Sequence, residues 1–526
     1  MSGLFSTLNT ANKGLFAQQT ALHTTSHNIA NANTKGYTRQ RVEMKADFAY
    51  NLGGVGQLGT GVKMDSIVRL VDDYVTKQIR NEMGTLERYT AKSEVIDQLE
   101  VIFNEPSTTG LNFYLGEMFD SWQELSKNPE SLTSKTVVVE KSKALADTIN
   151  HMADQLQSLK DETIGQIEKN AMDFNSIVEK LESLNQQILN ISITGQVPND
   201  LLDQRDLMLQ DLGNIADFKT DFDKYGRVSI KNGEIDLLGD NQDLYELSVV
   251  KDIVDNKDGT FNISISRGGN SLEPSVEFTV NDIDDYEVGQ VIFTKSEVEP
   301  LTIDDIKTTN EIALDNGITS GKIKGNTEAL EDISDSLKNL NQFANTMAKA
   351  VNAVHTGDDS IIHPGDNDVV NFFKFEGDKL KVNEEFKDHP DKVLAGKDYN
   401  SPEGDGSRAL AIARLRNTKL DFNGATLTYD SATMSIDNFA GGTTIEGAYG
   451  NIVTNIGISK EHSDNKIANQ EVLVGQLEIR RESTSGVSID EEVSNVIKFQ
   501  KAYEANARVI SVLAEMLDVL INRTGV

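Results

Sequence analysis

The chain is long and acidic, with 526 residues, 38% of them hydrophobic, and 83 acidic against 50 basic side chains for a net charge of −33. That length is too great for one hydrophobic core and predicts two to four domains, while the charge argues against nucleic acid as a partner. The chain contains no cysteine, which excludes disulfides and thiolate chemistry.

No run of about 18 apolar residues is present, so we expect no membrane-spanning segment. The amino terminus also lacks the charged and apolar blocks of a Sec-type signal peptide. If the protein acts outside the cell, we expect it to leave by another route.

The first predicted element is an amphipathic helix. Its apolar residues recur at a spacing of three and four, which places them on one face. They are Leu4, Leu8, Ala11, Leu15, Leu22 and Ile29. The helix runs into the stretch NIANANTKGYTRQRV (28–42). Asn and Gly tolerate left-handed backbone and favour helix ends, so the pattern predicts that the helix stops there.

The middle of the chain is mostly helical in pattern. Apolar periodicity predicts helices over 64–104 and over 134–192, and a shorter helix in PNDLLDQRDLMLQDLG (198–213). The charged residues of that short helix most simply make contacts at the start of the helix and between positions three apart, and a packing role stays open. They are Asp200, Asp203, Arg205 and Asp206.

From about 221 to 320 the sequence consists of short β-prone runs separated by Gly, Asn and Asp turns, and acidic residues outnumber basic ones. This pattern predicts an acidic, mostly β domain. Helical pattern returns at 327–355 and at 446–485. The segment 405–435 is short and mixed.

The last predicted element is a long capped helix. Ser488 and Glu491 form a capping box, and about 34 helical residues would span roughly 50 Å. Its apolar stripe is Val496, Phe499, Tyr503, Ile510, Leu513 and Leu517. A stripe of this length needs a partner helix, and the amino-terminal helix is the obvious one.

These elements predict a multidomain α+β fold with a nested layout. Both chain ends form a long helical bundle or coiled coil (1–45 with 486–526). An elongated helical middle domain with some β follows (46–220 with 321–485), and the mostly β domain (221–320) is inserted as an outer domain.

Several stretches resemble chemical motifs. Gly54, Gly56 and Gly59 have the G-x-G-x-x-G spacing, but no buried strand precedes them, so a turn-rich connector is favoured. His23 and His27 have metal-ligand spacing without a nearby carboxylate, which favours a polar helix face.

The loop 355–368 gathers His and Asp side chains without EF-hand spacing. They are His355, Asp358, Asp359, His363, Asp366 and Asp368. We favour a solvated loop there and leave cation binding open. The many carboxylates leave open a glycosidase-like pair, although nothing singles one out.

The stretch 28–42 resembles the amino-terminal signature of the bacterial flagellar axial proteins, the rod, hook and hook-associated proteins. GTGVKMDSIVRLVDDYVTKQIR (59–80) resembles the next block of that family, and GVSIDEEVSNVIKFQKAYEANARVI (486–510) resembles its carboxy-terminal block. Within the family, GYTRQRV (36–42) and PNDLLDQRD (198–206) are most similar to the hook-associated members found at the junction of hook and filament.

The resemblance implies that the terminal helices line the central channel of a tube and that the Asn-rich tract is the joint to the next domain. The joint residues it implies are Asn28, Asn31, Asn33, Gly36, Arg39 and Arg41. The Asn and Gly residues would supply left-handed and side-chain-capped conformations, and the arginines would pair with acidic neighbours, on the same or an adjacent subunit. Solvated arginines are the alternative.

The resemblance further implies a structural, non-enzymatic protein of the extracellular flagellum that joins hook to filament, with no cofactor. Its expected partners are copies of itself in a ring or short tube, the hook protein, a second junction protein on the filament side, a cytoplasmic export chaperone and the flagellar type III export apparatus. The apolar stripes would meet either the chaperone or neighbouring subunits. The alternatives are a hook or distal rod protein and, from another class, an axial protein with peptidoglycan-hydrolase activity.

Overall fold

A computed structural model describes most of the chain. The described residues are 2–52, 56–103, 110–241, 243–267, 275–284, 286–296, 301–302, 305–308, 317–363, 366–424 and 427–523. The chain divides into two compact units. The first unit is Met1–Arg88, Glu168–Lys324 and Ala468–Val526, and the second is Tyr89–Ile167 and Gly325–Ile467.

Long helices dominate the described residues. They are α1 (Ser2–Ala30), α2 (Asp73–Phe103), α3 (Leu111–Lys127), α4 (Leu132–Ser192), α5 (Asn199–Ile215), α6 (Gly321–Thr356), α7 (Glu384–Asp388), α8 (Ser407–Arg414), α9 (Ile445–Ser485) and α10 (Ile489–Asp518). The 61 residues of α4 contain no proline and confirm the helix predicted over 134–192.

The strands are short and form separate antiparallel sheets. They are β1 (Gln40–Ala46), β2 (Tyr50–Leu52), β3 (Gly56–Leu58), β4 (Val62–Arg69), β5 (Lys219–Phe222), β6 (Val228–Asn232), β7 (Ile235–Leu238), β8 (Tyr245–Asp255), β9 (Phe261–Arg267), β10 (Ser275–Val280), β11 (Val291–Lys295), β12 (Ile306–Lys307), β13 (Phe373–Glu376), β14 (Lys379–Val382), β15 (Tyr429–Asp430) and β16 (Ser435–Ile436). The pairings are β1–β4, β2–β3, β13–β14 and β15–β16, with a three-stranded β5–β6–β7 sheet and a five-stranded sheet in the order β10–β9–β8–β11–β12.

Between α5 and α6 the chain is therefore mostly β, as predicted, and side-chain amides of α4 hold two of its strands. The Asn175 amide donates to the Leu247 carbonyl (2.8 Å) and accepts from the Leu247 N–H (2.9 Å). Asn185 makes the same pair of bonds with Val228 (2.8 and 2.9 Å). Each amide completes the backbone hydrogen bonding of one strand residue, which fixes β6 and β8 on the helix.

The second unit has one large apolar core, centred on aromatic residues. Trp122, Phe372 and Phe386 are each no more than 1% exposed, and their rings surround that of His355. The side chain of Arg408 is buried nearby and donates to the carbonyls of Val354, Gly396 and Lys397.

The helix predicted over 64–104 is wrong at its start. Val62–Arg69 is strand β4, paired with β1, and the helix begins only at Asp73, where Asp72 Oδ1 accepts from the N–H groups of Tyr74 and Val75. The run VKMDSIVR carries apolar residues that suit either period, and its pairing with a strand 16 to 29 positions earlier decides the outcome.

The fold class predicted from the sequence is confirmed, because both chain ends are long helices that pair and a mostly β region lies between them. The three predicted domain boundaries remain a prediction, since the two contact-defined units divide the chain differently. Within the described residues, no helix is both long and apolar enough to span a lipid bilayer.

Candidate functional site

Helices α1 and α10 pack against each other, and α1 carries several small buried residues. A Cβ atom added at Gly14 would lie 2.9 Å from Asn506 Oδ1, so the two helices meet closely at that position. The buried positions of α1 include Ala11, Ala17 and Ala21, at 5%, 0% and 2% exposure. Small side chains of this kind allow helix backbones to approach each other.

The predicted interface residues are less buried than these alanines. On α1 they are half-buried: Leu4, Leu8, Leu15, Leu22 and Ile29. On α10, Leu513 is buried and the others are half-buried: Val496, Phe499, Tyr503, Ile510 and Leu517. Much of each stripe thus remains accessible, and its role between subunits stays a prediction.

Helix α10 also carries an exposed apolar stripe that the sequence reasoning missed. Ile489, Val493 and Ile497 are 45–55% exposed, as are Val512 and Met516 (50% and 51%). Ile489, Val493 and Ile497 follow one another at a spacing of four, and so do Val512 and Met516, which lie 15 positions beyond Ile497. This spacing is the signal that would have identified these exposed positions. Helix α10 therefore carries exposed apolar side chains outside the face that packs against α1.

Asn28 lies at the centre of a polar cluster where α1 ends, and it is 1% exposed. Its amide nitrogen donates to the Gln40 carbonyl (2.9 Å) and to Glu492 Oε2 (3.0 Å). Its oxygen accepts from the Gln40 N–H (3.0 Å) and from the Tyr37 hydroxyl (2.7 Å). All four hydrogen-bonding positions of the amide are used, so Asn28 ties the end of α1, the start of β1 and the start of α10 together.

The other small residues of the tract act in different ways. Of the predicted joint residues, only Gly36 has a positive φ (+81°), and a Cβ there would lie 3.3 Å from the side chain of Leu207. Asn31 donates from its side chain to the His27 carbonyl (3.1 Å), whereas Asn33 is exposed. Asn28 and Asn31 thus contribute side-chain hydrogen bonds, and none of the three asparagines has left-handed backbone.

Arg39 joins the tract to the capped start of α10. Its Nε donates to Glu492 Oε1 (2.8 Å), and its Nη1 donates to Glu491 Oε2 (2.9 Å). Ser488 caps α10 by accepting from the Glu491 N–H. The Glu492 side chain is 2% exposed, whereas the Arg41 side chain is 61% exposed and lies 3.6 Å from Glu43. The acidic partners of Arg39 thus belong to its own chain.

The short helix α5 completes the cluster, and the prediction of local charge contacts there is wrong for Asp203. Asp203 accepts from the Thr38 N–H (3.0 Å) and from Arg69 Nη1 (2.7 Å), and Asp206 accepts from the same Arg69 nitrogen (2.9 Å). Only the pairing of Arg205 with Asp206 is local. The fold brings β4 and the Asn-rich tract onto α5, which sequence spacing cannot show. We call Asn28, Arg39, Arg69, Asp203 and Glu492 the polar joint.

Burial and neighbouring charges both shift pKa values at the polar joint. Burial raises the pKa of Asp203, and the hydrogen bonds from Thr38 and Arg69 oppose only part of that effect. Burial alone would lower the pKa of Arg69, but Asp206 and Asp203 outweigh it and raise that pKa. Burial, reinforced by Asp200, Asp203 and Glu492, raises the pKa of Tyr37, so its hydroxyl remains a hydrogen-bond donor to Asn28.

The candidate metal ligands do not converge in the part of the chain that the structure describes, which contains no group of three or more His, Asp or Glu able to hold a metal ion. His27 contacts Asp200 at 3.4 Å, and His23 is exposed.

In the loop 355–368, His355 is buried in the aromatic core and Asp366 pairs with Lys392. His363 stacks edge-on against Tyr399. Asp358, Asp359 and Asp368 are exposed. Gly56 begins strand β3 of a hairpin rather than a phosphate-binding turn, and Gly54 lies outside the described residues.

Comparison with known proteins first defines the class. The sequence models of the flagella basal body rod protein and of the flagellar basal body rod FlgEFG protein C-terminal region match residues 8–38 and 481–523, which include Asn28 and Glu492 of the polar joint. The model of the helical domain of flagellar hook-associated protein FlgK matches residues 96–361. These matches define a flagellar axial protein.

The whole chain is similar to curated proteins named flagellar hook-associated protein 1. The protein from Bacillus subtilis is 30% identical over 100% of this chain and 99% of its own length, and the one from Escherichia coli is 26% identical over 98% and 99%. A structure of the flagellar hook junction protein FlgK from Burkholderia pseudomallei has the same fold, with a TM-score of 0.54 and 14% identity, covering 78% of this chain and all of that one. The chain belongs to the flagellar hook-associated protein 1 (FlgK) family and is a structural component of the bacterial flagellum.

Proposed function

We propose that this protein joins the hook to the filament and that filament assembly requires it. The observation that carries the proposal is the polar joint, which fixes the start of α10 to the end of α1 through Asn28, Arg39 and Glu492. Helices α1 and α10 thereby meet at one defined point of the first unit and pack against each other, and α1 also contacts β1 and β4. Such a helix pair suits a repeated subunit whose contacts build a layer around an axis.

The exposed stripe of α10 supports assembly with further copies. Five apolar side chains at half exposure on one helix are costly in water, and each gains about 1 kcal/mol or more when a neighbour covers it. We propose that neighbouring subunits cover this stripe in a ring or short tube, with the hook protein on one side and a second junction protein on the other. Before export, a cytoplasmic chaperone would cover it, and the flagellar type III apparatus would carry the chain out of the cell. The proposal assigns the protein no catalytic step.

The first experiment removes α10. A strain producing only residues 1–487 should form complete hooks without filaments and release unpolymerised filament subunit into the medium, and the full-length chain should restore filaments. Normal filaments in that strain would contradict the proposal. Long tubes built from the purified protein would instead indicate a hook protein.

A point variant tests the exposed stripe itself. Val493→Asp places a charge on the stripe, and Ser494→Asp places the same charge on the next residue, which is also exposed. We expect V493D to be exported but to give hooks without filaments, while S494D behaves as wild type. Equal effects of the two variants would show that added charge, rather than loss of the apolar contact, disturbs assembly.

A further inference from the structure

A small cavity in the first unit has an excess of cations. It encloses about 230 Å³, and its charged lining residues are Lys77, Arg80, Arg205, Arg481, Asp73 and Asp206. The chain as a whole carries 33 more acidic than basic side chains, so a cavity lined by more basic than acidic side chains is unusual for this protein. The pairing of these charges decides whether the excess is neutralised inside the protein.

Arg80 is the most informative of the lining residues because it is buried, at 9% exposure. Its Nη2 donates one hydrogen bond to Thr220 Oγ1 (3.2 Å), and its guanidinium lies 5.1 Å from the ring centre of Phe218. No carboxylate among the described residues is within ion-pair distance of it. Burial lowers the pKa of Arg80, Asp206 opposes that effect, and Arg205 adds to it. A buried guanidinium without a carboxylate partner is costly.

Two carboxylates line the cavity: Asp73, which is exposed and forms no ion pair with a described residue, and Asp206, which is already paired. Asp206 lies 2.6 Å from Arg205 Nη2 and 2.9 Å from Arg69 Nη1, so the polar joint and Arg205 take up its charge. Lys77 is exposed and Arg481 is half-buried, and neither forms an ion pair with any residue that the structure describes. Within the described residues, Lys77, Arg80 and Arg481 thus form no ion pair, and the exposed Asp73 offsets only part of their charge.

We propose that this cavity binds a carboxylate, with Arg80 as the buried anchor and Lys77 and Arg481 as further cationic contacts. The planar fork of a guanidinium matches the two oxygens of a carboxylate and forms short, charge-assisted hydrogen bonds with it. The cavity has room for a side-chain carboxylate and is smaller than the pockets that hold drug-sized ligands. The carboxylate comes either from an Asp or Glu of a second copy, of which each chain carries 83, or from a small free dicarboxylate. The site does not depend on the proposed junction role.

The first test measures thermal unfolding of the purified full-length chain with glutarate or with chloride at equal ionic strength. A ligand bound only to the folded state raises the melting temperature, by about 2 °C at ten times its dissociation constant for a unit of this size. We expect that rise in the wild type and its loss in Arg80→Gln. Because Arg80 is buried, Arg80→Gln can also disturb folding. The double variant Lys77→Gln/Arg481→Gln changes two more accessible side chains of the cavity, leaves Arg80 in place, and should lose the response to glutarate as well.

Lys219→Gln is the matched control, since Lys219 is exposed on β5 directly before the cavity residue Thr220 and so points to the opposite face. It should keep the full response to glutarate. Glutarate that does not stabilise the wild type beyond chloride, or that stabilises the cavity variants equally, overturns the proposal.

Sedimentation velocity then identifies the source of the carboxylate. Wild-type self-association that weakens in Lys77→Gln/Arg481→Gln and on addition of glutarate, but not in Lys219→Gln, supports a side chain of a second copy. Self-association that is the same in all variants, together with a glutarate response specific to the cavity, supports a free dicarboxylate.

Discussion

Asn28 and Glu492 are 464 positions apart in the chain, yet Asn28 Nδ2 donates a hydrogen bond of 3.0 Å to Glu492 Oε2. The Glu492 carboxylate also accepts from Arg39, and both Asn28 and Glu492 are almost fully buried. One contact thus connects the end of α1 to the start of α10, although the two segments lie at opposite ends of the chain. It gives the two ends a fixed starting direction that apolar packing between helices would not supply alone.

We expect Glu492→Gln to loosen the polar joint strongly. The substitution leaves Arg39 with only the exposed Glu491 as a charged partner, and loss of one member of a buried pair costs on the order of 3 kcal/mol. Amide hydrogen exchange at residues 28–42 should then be about 100-fold faster than in the wild type. Glu491→Gln is the control, since this side chain is 63% exposed and its pair should contribute less than about 1 kcal/mol. Equal protection in both variants would contradict the assigned role of Glu492.

Asp203→Asn should destabilise the first unit although it preserves the shape of the side chain. The amide can still hydrogen-bond, but Arg69 loses one of its two carboxylates, and we expect a loss of about 2 kcal/mol. Asp200→Asn alters the same helix at a side chain that is 67% exposed, and it should lower the free energy of unfolding much less. Urea denaturation followed by circular dichroism measures both. A larger effect at Asp200 would show that the buried contacts of Asp203 are not the important ones.

Gly36→Ala should lower the free energy of unfolding more than Gly195→Ala does. Both glycines have a left-handed backbone (φ of +81° and +83°), so both substitutions introduce about 1 kcal/mol of backbone strain. Only at Gly36 does the added Cβ approach another side chain, at 3.3 Å from Leu207, whereas nothing lies within 4 Å at Gly195. The difference in the free energy of unfolding measures the packing of the tract on α5. No difference would mean that Leu207 moves aside freely.

His355 should make the second unit sensitive to acid. Burial, assisted by Arg408 and Lys135, lowers its pKa to about 3 from an ordinary value of 6.5. The unfolded chain therefore binds a proton that the folded chain does not, and stability falls as the pH drops from 6.5 towards 3, by up to about 5 kcal/mol. Trp122, the only tryptophan, lies beside His355 and reports the unfolding of this unit.

His355→Gln should flatten this acid-dependent loss, whereas His151→Gln, at an exposed position of α4, should leave it in place. An unchanged pH dependence in His355→Gln would assign the acid sensitivity to other groups.

Glu246 should produce the opposite pH dependence in the β region. Burial raises its pKa to about 7, although Arg267 opposes the shift. The folded chain then holds a proton between pH 4.5 and 7 that the unfolded chain releases, so stability falls as the pH rises through that interval. In the wild type, the protection of β8 and β9 amides against hydrogen exchange should decrease as the pH rises from 4.5 to 7. In Glu246→Gln this decrease should be absent. Glu277→Gln, on the exposed side of β10, should retain it.

Much of the fold was readable in the sequence because it depends on local signals. The three-and-four spacing of apolar residues defined α4 and both terminal helices, and the Ser488–Glu491 cap set the start of α10 to the residue. Strands β1 and β4 were missed, since short runs with apolar residues at mixed spacing become strands only when a distant partner pairs with them. The exposed stripe of α10 had a usable signal, the spacing of four between Ile489, Val493 and Ile497, but the inner stripe concealed it.

The sequence by itself determined that the chain ends are long amphipathic helices, that an acidic β region is inserted between them, and that Asn28 to Arg41 end the first helix. These features follow from backbone preferences and apolar periodicity within a few turns of chain. Only the tertiary structure decided that Asn28 and Arg39 meet Glu492, that Asp203 meets Arg69, and that Arg80 is buried without a carboxylate. Those outcomes depend on which charges the fold brings within hydrogen-bonding distance and on how much water it removes around them, and neither quantity is set by separation along the chain.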